Sequence, residues 1–81
     1  MILIVEDEPS LAQVLAEYLE HSGFKTHTID DGNNVINWVK EHAPKLILLD
    51  LMLPNRDGLD LFRELKTFTD VPAIMASAHI A

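Results

Sequence analysis

Ile2-Leu3-Ile4-Val5-Glu6-Asp7-Glu8-Pro9 opens with a short apolar run, turns abruptly acidic and ends on a proline. An apolar run with no polar alternation suits a strand buried on both faces, which is the habit of parallel sheets. Pro9 fits the first turn of a helix. Beyond it Leu11, Val14, Leu15, Tyr18 and Leu19 repeat at the spacing of an amphipathic helix, and Gly23 stands where such a helix ends.

The same grammar recurs outward along the chain. Residues 24–30 set Phe24, Thr26 and Thr28 against Lys25 and His27, the pattern of a strand exposed on one side. After an Asp31-Gly32 turn, Val35, Ile36 and Val39, with Trp38 alongside, mark a second helix. Leu46-Ile47-Leu48-Leu49 is a third strand, apolar throughout. Leu59, Phe62 and Leu65 mark a third helix after Pro54 and Gly58. Pro72 introduces a fourth strand, Ala73-Ile74-Met75-Ala76, at the position a strand tolerates proline.

Strands that alternate with helices make a parallel sheet with right-handed crossovers, covered on both faces. The continuously apolar strands belong inside and the alternating one at an edge. The expected fold is therefore α/β, a doubly wound parallel sheet of order 2-1-3-4. The fourth strand reads as interior, yet the sequence offers no fifth strand to cover it. An uncovered apolar edge invites pairing with another chain. A homo-oligomer, strand- or domain-swapped, is expected on that ground.

Composition narrows the function. The 81 residues are 48% hydrophobic and 23% charged, which suits one globular domain. No apolar run approaches the roughly 20 residues of a membrane span, and no basic segment follows Met1 to suggest a secretory signal. Without cysteine there is no disulfide framework or thiolate metal site, and a cytoplasmic location is expected. Thirteen acids against six bases, a net charge of −7, argue against direct binding to nucleic acid or an anionic membrane. They suit a chain that gathers cations or meets a basic partner, and equally one whose acids serve solubility alone. His21, His27, His42 and His79 are scattered, without the spacing of a zinc site.

In a sheet of this order, ligands bind at the carboxyl ends of the strands where the strand order reverses. Glu6 and Asp7 follow the first strand and Asp50 ends the third, so the three acids converge on one rim. Carboxylates this close repel one another, and a divalent cation relieves the repulsion. Oxygen-only ligands suit Mg2+. Ser77, just past the fourth strand, adds a hydroxyl to the same rim. Plainer readings exist for each. Asp7 and Glu8 favour a helix N-terminus, Asp50 suits a turn, and Ser77 suits an ordinary loop.

Val5-Glu6-Asp7-Glu8-Pro9, Leu48-Leu49-Asp50-Leu51-Met52-Leu53-Pro54, Asp57-Gly58 and Ala76-Ser77-Ala78 together resemble the receiver domain of bacterial two-component response regulators, above all the OmpR/PhoB subfamily of transcription regulators. The resemblance implies a flavodoxin-like, CheY-like fold, with residues 1–81 as the N-terminal part of a single receiver domain. The family's fifth strand and its last two helices have no counterpart here. Absent with them are a phosphate-pairing lysine, a switch aromatic and the subfamily's dimerisation face. The DNA-binding domain also lies outside, so DNA would be reached only through it.

By the same resemblance Asp50 accepts the phosphoryl group from a sensor histidine kinase. Asp7, Asp50 and the Met52 carbonyl would hold Mg2+ directly, with Glu6 acting through water. Ser77 would be the switch hydroxyl. The kinase would dock along the first helix at Ser10, Gln13, Val14 and Glu17, although Val14 also reads as plain core. Arg56 either assists the incoming phosphate or only solvates its loop. The expected role is a signalling phosphoacceptor and not a turnover enzyme. A haloacid-dehalogenase-type phosphatase needs a second acid where Met52 stands. The remaining alternative is a receiver-like interaction module that is never phosphorylated.

Overall fold

Ile2–Val5 is buried along its whole length and forms β1, an inner strand of a four-stranded parallel sheet in a computed structural model that describes residues 1–76. The chain continues through α1 (Pro9–His21), β2 (Thr26–Ile29), a 3-10 turn (Gly32–Asn34), α2 (Val35–His42), β3 (Leu46–Asp50), α3 (Gly58–Leu65) and β4 (Ala73–Ala76). The strand order is β2-β1-β3-β4 and every pairing is parallel, as the apolar and alternating runs predict. Ser77, Ala78 and His79 lie outside the described residues.

Side chains alternate across a strand, so β1 feeds two layers. Leu3 and Val5 join Ile29, Ile47 and Leu49 in a core closed by Val35, Ile36 and Val39 from α2 and by Leu61 and Leu65 from α3. Ile2 and Ile4 face the opposite layer, where α1 packs over β1 and β2. Pro9 occupies the first turn of α1 and Gly23 follows its end at φ 95°, the left-handed region glycine enters at no steric cost.

Two helical faces differ from the expected stripes. Val14 and Tyr18 are 61% and 72% exposed, while Ala12 is buried between half-buried Leu11, Leu15, Ala16 and Leu19. Alanine lets a helix approach a sheet closely, so Ala12 and Ala16 set the contact line and turn Val14 and Tyr18 outward. The reading of Val14 as core is thereby corrected. On α3 the inward positions are Gly58, Leu61 and Leu65; Leu59 is exposed and Phe62 half-buried. Gly58 causes this. A Cβ there would lie 2.7 Å from the Leu51 Cα and 2.9 Å from the Asp50 carbonyl oxygen, so the first turn of α3 presses directly on the end of β3.

The sheet edges differ as well. β2 is shorter than residues 24–30 and buries only Ile29. β4 pairs with β3, yet Ile74 and Met75 are exposed, so its interior composition is not matched by cover among the described residues. Trp38 is sandwiched between His27 of β2, at a ring separation of 4.5 Å, and His42 of its own helix, at 4.3 Å. Among the described residues no helix is long and apolar enough to cross a membrane.

Candidate functional site

Register brings the acids together. β1 and β3 run in step, Val5 beside Leu49, so the next residues, Glu6 and Asp50, leave the sheet at the same level. The Glu6 amide still donates to the Ile29 carbonyl at 3.0 Å, and the Leu51 amide donates to the Ala76 carbonyl at 2.9 Å. Both acids are thus held inside the sheet's last rung. Each is only 6% exposed, while the neighbouring Asp7 is open to solvent. One carboxylate oxygen from each of Glu6, Asp7 and Asp50 lies within 4.8 Å of the others.

Local hydrogen bonds show what the plainer readings account for. Glu8 is a helix cap: its Oε1 accepts from the Ser10 amide at 3.1 Å. Its own amide donates to Glu6 Oε2 at 3.1 Å, which aims the Glu6 carboxylate along the rim. Asp50 Oδ1 accepts from the Met52 amide at 3.0 Å, so Asp50 does shape the turn that follows it. Turn-making engages one oxygen, however, and does not explain a second buried acid beside it.

Electrostatics make the cluster unusual. The Glu6 carboxyl is pushed above its ordinary value, chiefly by burial and then by Asp50 and Asp7, against the opposing pull of the Glu8 amide. Among the described residues no basic side chain pairs with the cluster. Arg56, the base of the β3–α3 loop, is paired with Asp60 at 3.2 Å and with Glu64, and its guanidinium is held in its charged form mainly by Glu64. Those are the only ion pairs among the described residues. Arg56 therefore serves α3, beyond the solvating role one reading gave it. Clustered carboxylate oxygens with no basic partner fit a hard divalent cation such as Mg2+.

A cavity of about 410 Å3 opens beside the rim, between α1 and β2, with Glu6, Asp7, Gln13 and Asp30 in its wall. Gln13 was expected to face a partner. With Ser10, Val14 and Glu17 it is exposed on α1, and its amide donates to Glu17 Oε1 at 3.1 Å. Asp30 was not singled out from the sequence, though the register that pairs Val5 with Ile29 sets Asp30 beside Glu6. Met52 is exposed in the loop after β3. Ser77 lies outside the described residues.

The chain matches the family model described as the response regulator receiver domain over residues 2–81. It is 49% identical over 79 residues to the transcriptional regulatory protein BaeR of Escherichia coli O6:H1, and 46% identical over 77 residues to the DNA-binding response regulator MtrA of Mycolicibacterium smegmatis. Those alignments cover 98% and 95% of this chain but only 33% and 34% of the relatives, so the chain spans about a third of their length. Among solved structures, the BeF3-activated N-terminal receiver domain of Klebsiella pneumoniae RstA superposes with a TM-score of 0.93 at 29% identity, covering 99% of this chain and 68% of that one. The MaeR response regulator bound to beryllium trifluoride gives 0.88 at 28% identity, covering 99% of this chain and 68% of its own. Strand order, the acids on the switch-point rim and these likenesses agree: the chain belongs to the response regulator receiver domain family, with OmpR/PhoB-type regulators among its relatives.

Proposed function

We propose that this chain is the phosphoacceptor portion of a receiver domain, and that Asp50 takes a phosphoryl group from a sensor histidine kinase with Mg2+ present. The observation that carries the reading is the convergence of Glu6, Asp7 and Asp50, with no basic partner among the described residues. Asp7 and Asp50 would hold the ion with the Met52 carbonyl, and Glu6 would act through water. A bound Mg2+ neutralises charge on the phosphoryl oxygens. Asp50 supplies the nucleophile. Its carboxylate oxygen bonds to phosphorus as the P–N bond of the kinase's phosphohistidine breaks, and the imidazole nitrogen keeps the bonding pair. The bond from the Met52 amide to Oδ1 orients Asp50 for that attack.

Ser77 is proposed as the hydroxyl that answers the new charge. Exposed Ser10, Gln13, Val14 and Glu17 are proposed as the kinase-facing strip, since Gln13 also borders the cavity at the acidic rim. We read residues 1–81 as the N-terminal part of one receiver domain whose DNA-binding output lies in a longer protein. The share of the relatives' length that the chain spans supports this. Two of the structural neighbours are described with beryllium trifluoride, a phosphoryl mimic, which suggests the test. Beryllofluoride with Mg2+ is expected to give an adduct visible by fluorine NMR with this chain and none with Asp50→Asn. No adduct with the unmodified chain would reject phosphoacceptance in favour of an unphosphorylated interaction module.

A further inference from the structure

The β3–α3 loop, residues 51–57, carries Met52 and is fixed at both ends. Asp50 Oδ1 accepts from the Met52 amide at its start, and Asp57 Oδ1 accepts from the Leu59 amide at 3.1 Å to cap α3 at its finish. Its middle is fixed from elsewhere. Asn55 adopts φ 66°, the left-handed region that asparagine tolerates better than most residues. Its Nδ2 donates to Asp31 Oδ2 at 3.2 Å, in the loop after β2. Asp31 is itself held, because its Oδ1 accepts from the Asn33 amide at 2.9 Å. Next to it, a Cβ on Gly32 would lie 2.9 Å from the Arg56 Cβ, so the two loops touch. The Asp31–Asn55 bond spans 24 residues, whereas every other side-chain hydrogen bond among the described residues spans eight or fewer.

We propose that Asp31 and Asn55 are a positioning pair: the β2–α2 loop holds the centre of the β3–α3 loop, and through it sets Met52 relative to Asp50 for cation binding and phosphoryl acceptance. The proposal rests on the phosphoacceptor reading above. Neither residue touches the reacting atoms. Partners that orient a ligand without contacting the ion typically govern affinity by 10–100-fold.

Charge-exchanged variants test it, with Mg2+ affinity by calorimetry and the rate of Asp50 phosphorylation by acetyl phosphate as readouts. In Asn55→Asp two carboxylates face each other and the bond is lost. Affinity is expected to fall on the order of tenfold, although the added negative charge alone would strengthen cation binding. The double variant D31N/N55D exchanges donor and acceptor at unchanged net charge and is expected to recover both readouts. Thermal melting of each variant separates positioning from simple destabilisation. An N55D chain that melts earlier but binds Mg2+ and accepts phosphate as before overturns the proposal, and so does a double variant that fails to recover. If the unmodified chain neither binds Mg2+ nor accepts phosphate, the phosphoacceptor reading itself fails, an outcome distinct from either of these.

Discussion

Glu6 sits in the last rung of the sheet beside Asp50, and its carboxyl is held above the ordinary value of 4.5, first by burial and then by its acidic neighbours. A folded-state value above the unfolded one means that the native chain binds more protons between the two. Stability therefore falls as pH rises from about 4.5 through the raised Glu6 value. Urea unfolding with the metal chelated is expected to show this decline, Glu6→Gln to flatten it, and Mg2+ to offset it. An unchanged slope in Glu6→Gln would assign the decline to the net charge of −7 alone. Gly58→Ala belongs to the same scale. The new Cβ meets backbone at 2.7 Å, which cannot yield as a flexible side chain would, so a loss of about 1–3 kcal/mol is expected in chemical denaturation, together with slower phosphorylation of Asp50. The rim acids were legible in the sequence because a parallel sheet sends consecutive strand ends to one side. Asp31 and Asn55 were not, since two loops without periodicity carry no sign that they meet.

At the scale of elements, strand identity and order followed from the contrast between continuous and alternating apolar runs, which depends directly on burial. The faces of α1 and α3 were harder to read. Hydropathy gives weight to Val14, Tyr18 and Leu59, whereas close approach at Ala12, Ala16 and Gly58 determines which side turns inward. The packing of β2 on α2 includes a feature no periodicity announces, the His27–Trp38–His42 stack, with interplanar angles of 9° and 14°. Aromatic pairs of this geometry contribute about 0.5–1.5 kcal/mol beyond their buried area. His27→Ala is expected to cost about that much in thermal or urea unfolding, and to shift Trp38 emission to the red as the ring is uncovered. An unaltered emission maximum would show that His27 does not shield the indole.

Across the whole molecule, topology and charge act together. Order β2-β1-β3-β4 puts the most protected strands in the middle and carries the acidic rim on their ends. It also leaves β4 at an edge with Ile74 and Met75 exposed, so the 1–81 chain on its own is expected to self-associate through that edge. Sedimentation should show mass increasing with concentration and Ile74→Lys should suppress it; a monomer at every concentration would contradict edge pairing. The claim on which function depends is that Glu6, Asp7 and Asp50 share one cation. A Mg2+ titration followed by amide NMR tests it most directly. Saturable shifts at millimolar Mg2+, centred on Glu6, Asp7 and residues 50–52 and lost in Asp7→Asn, are the predicted result. Shifts spread evenly over the thirteen acids, or none at those residues, would contradict it.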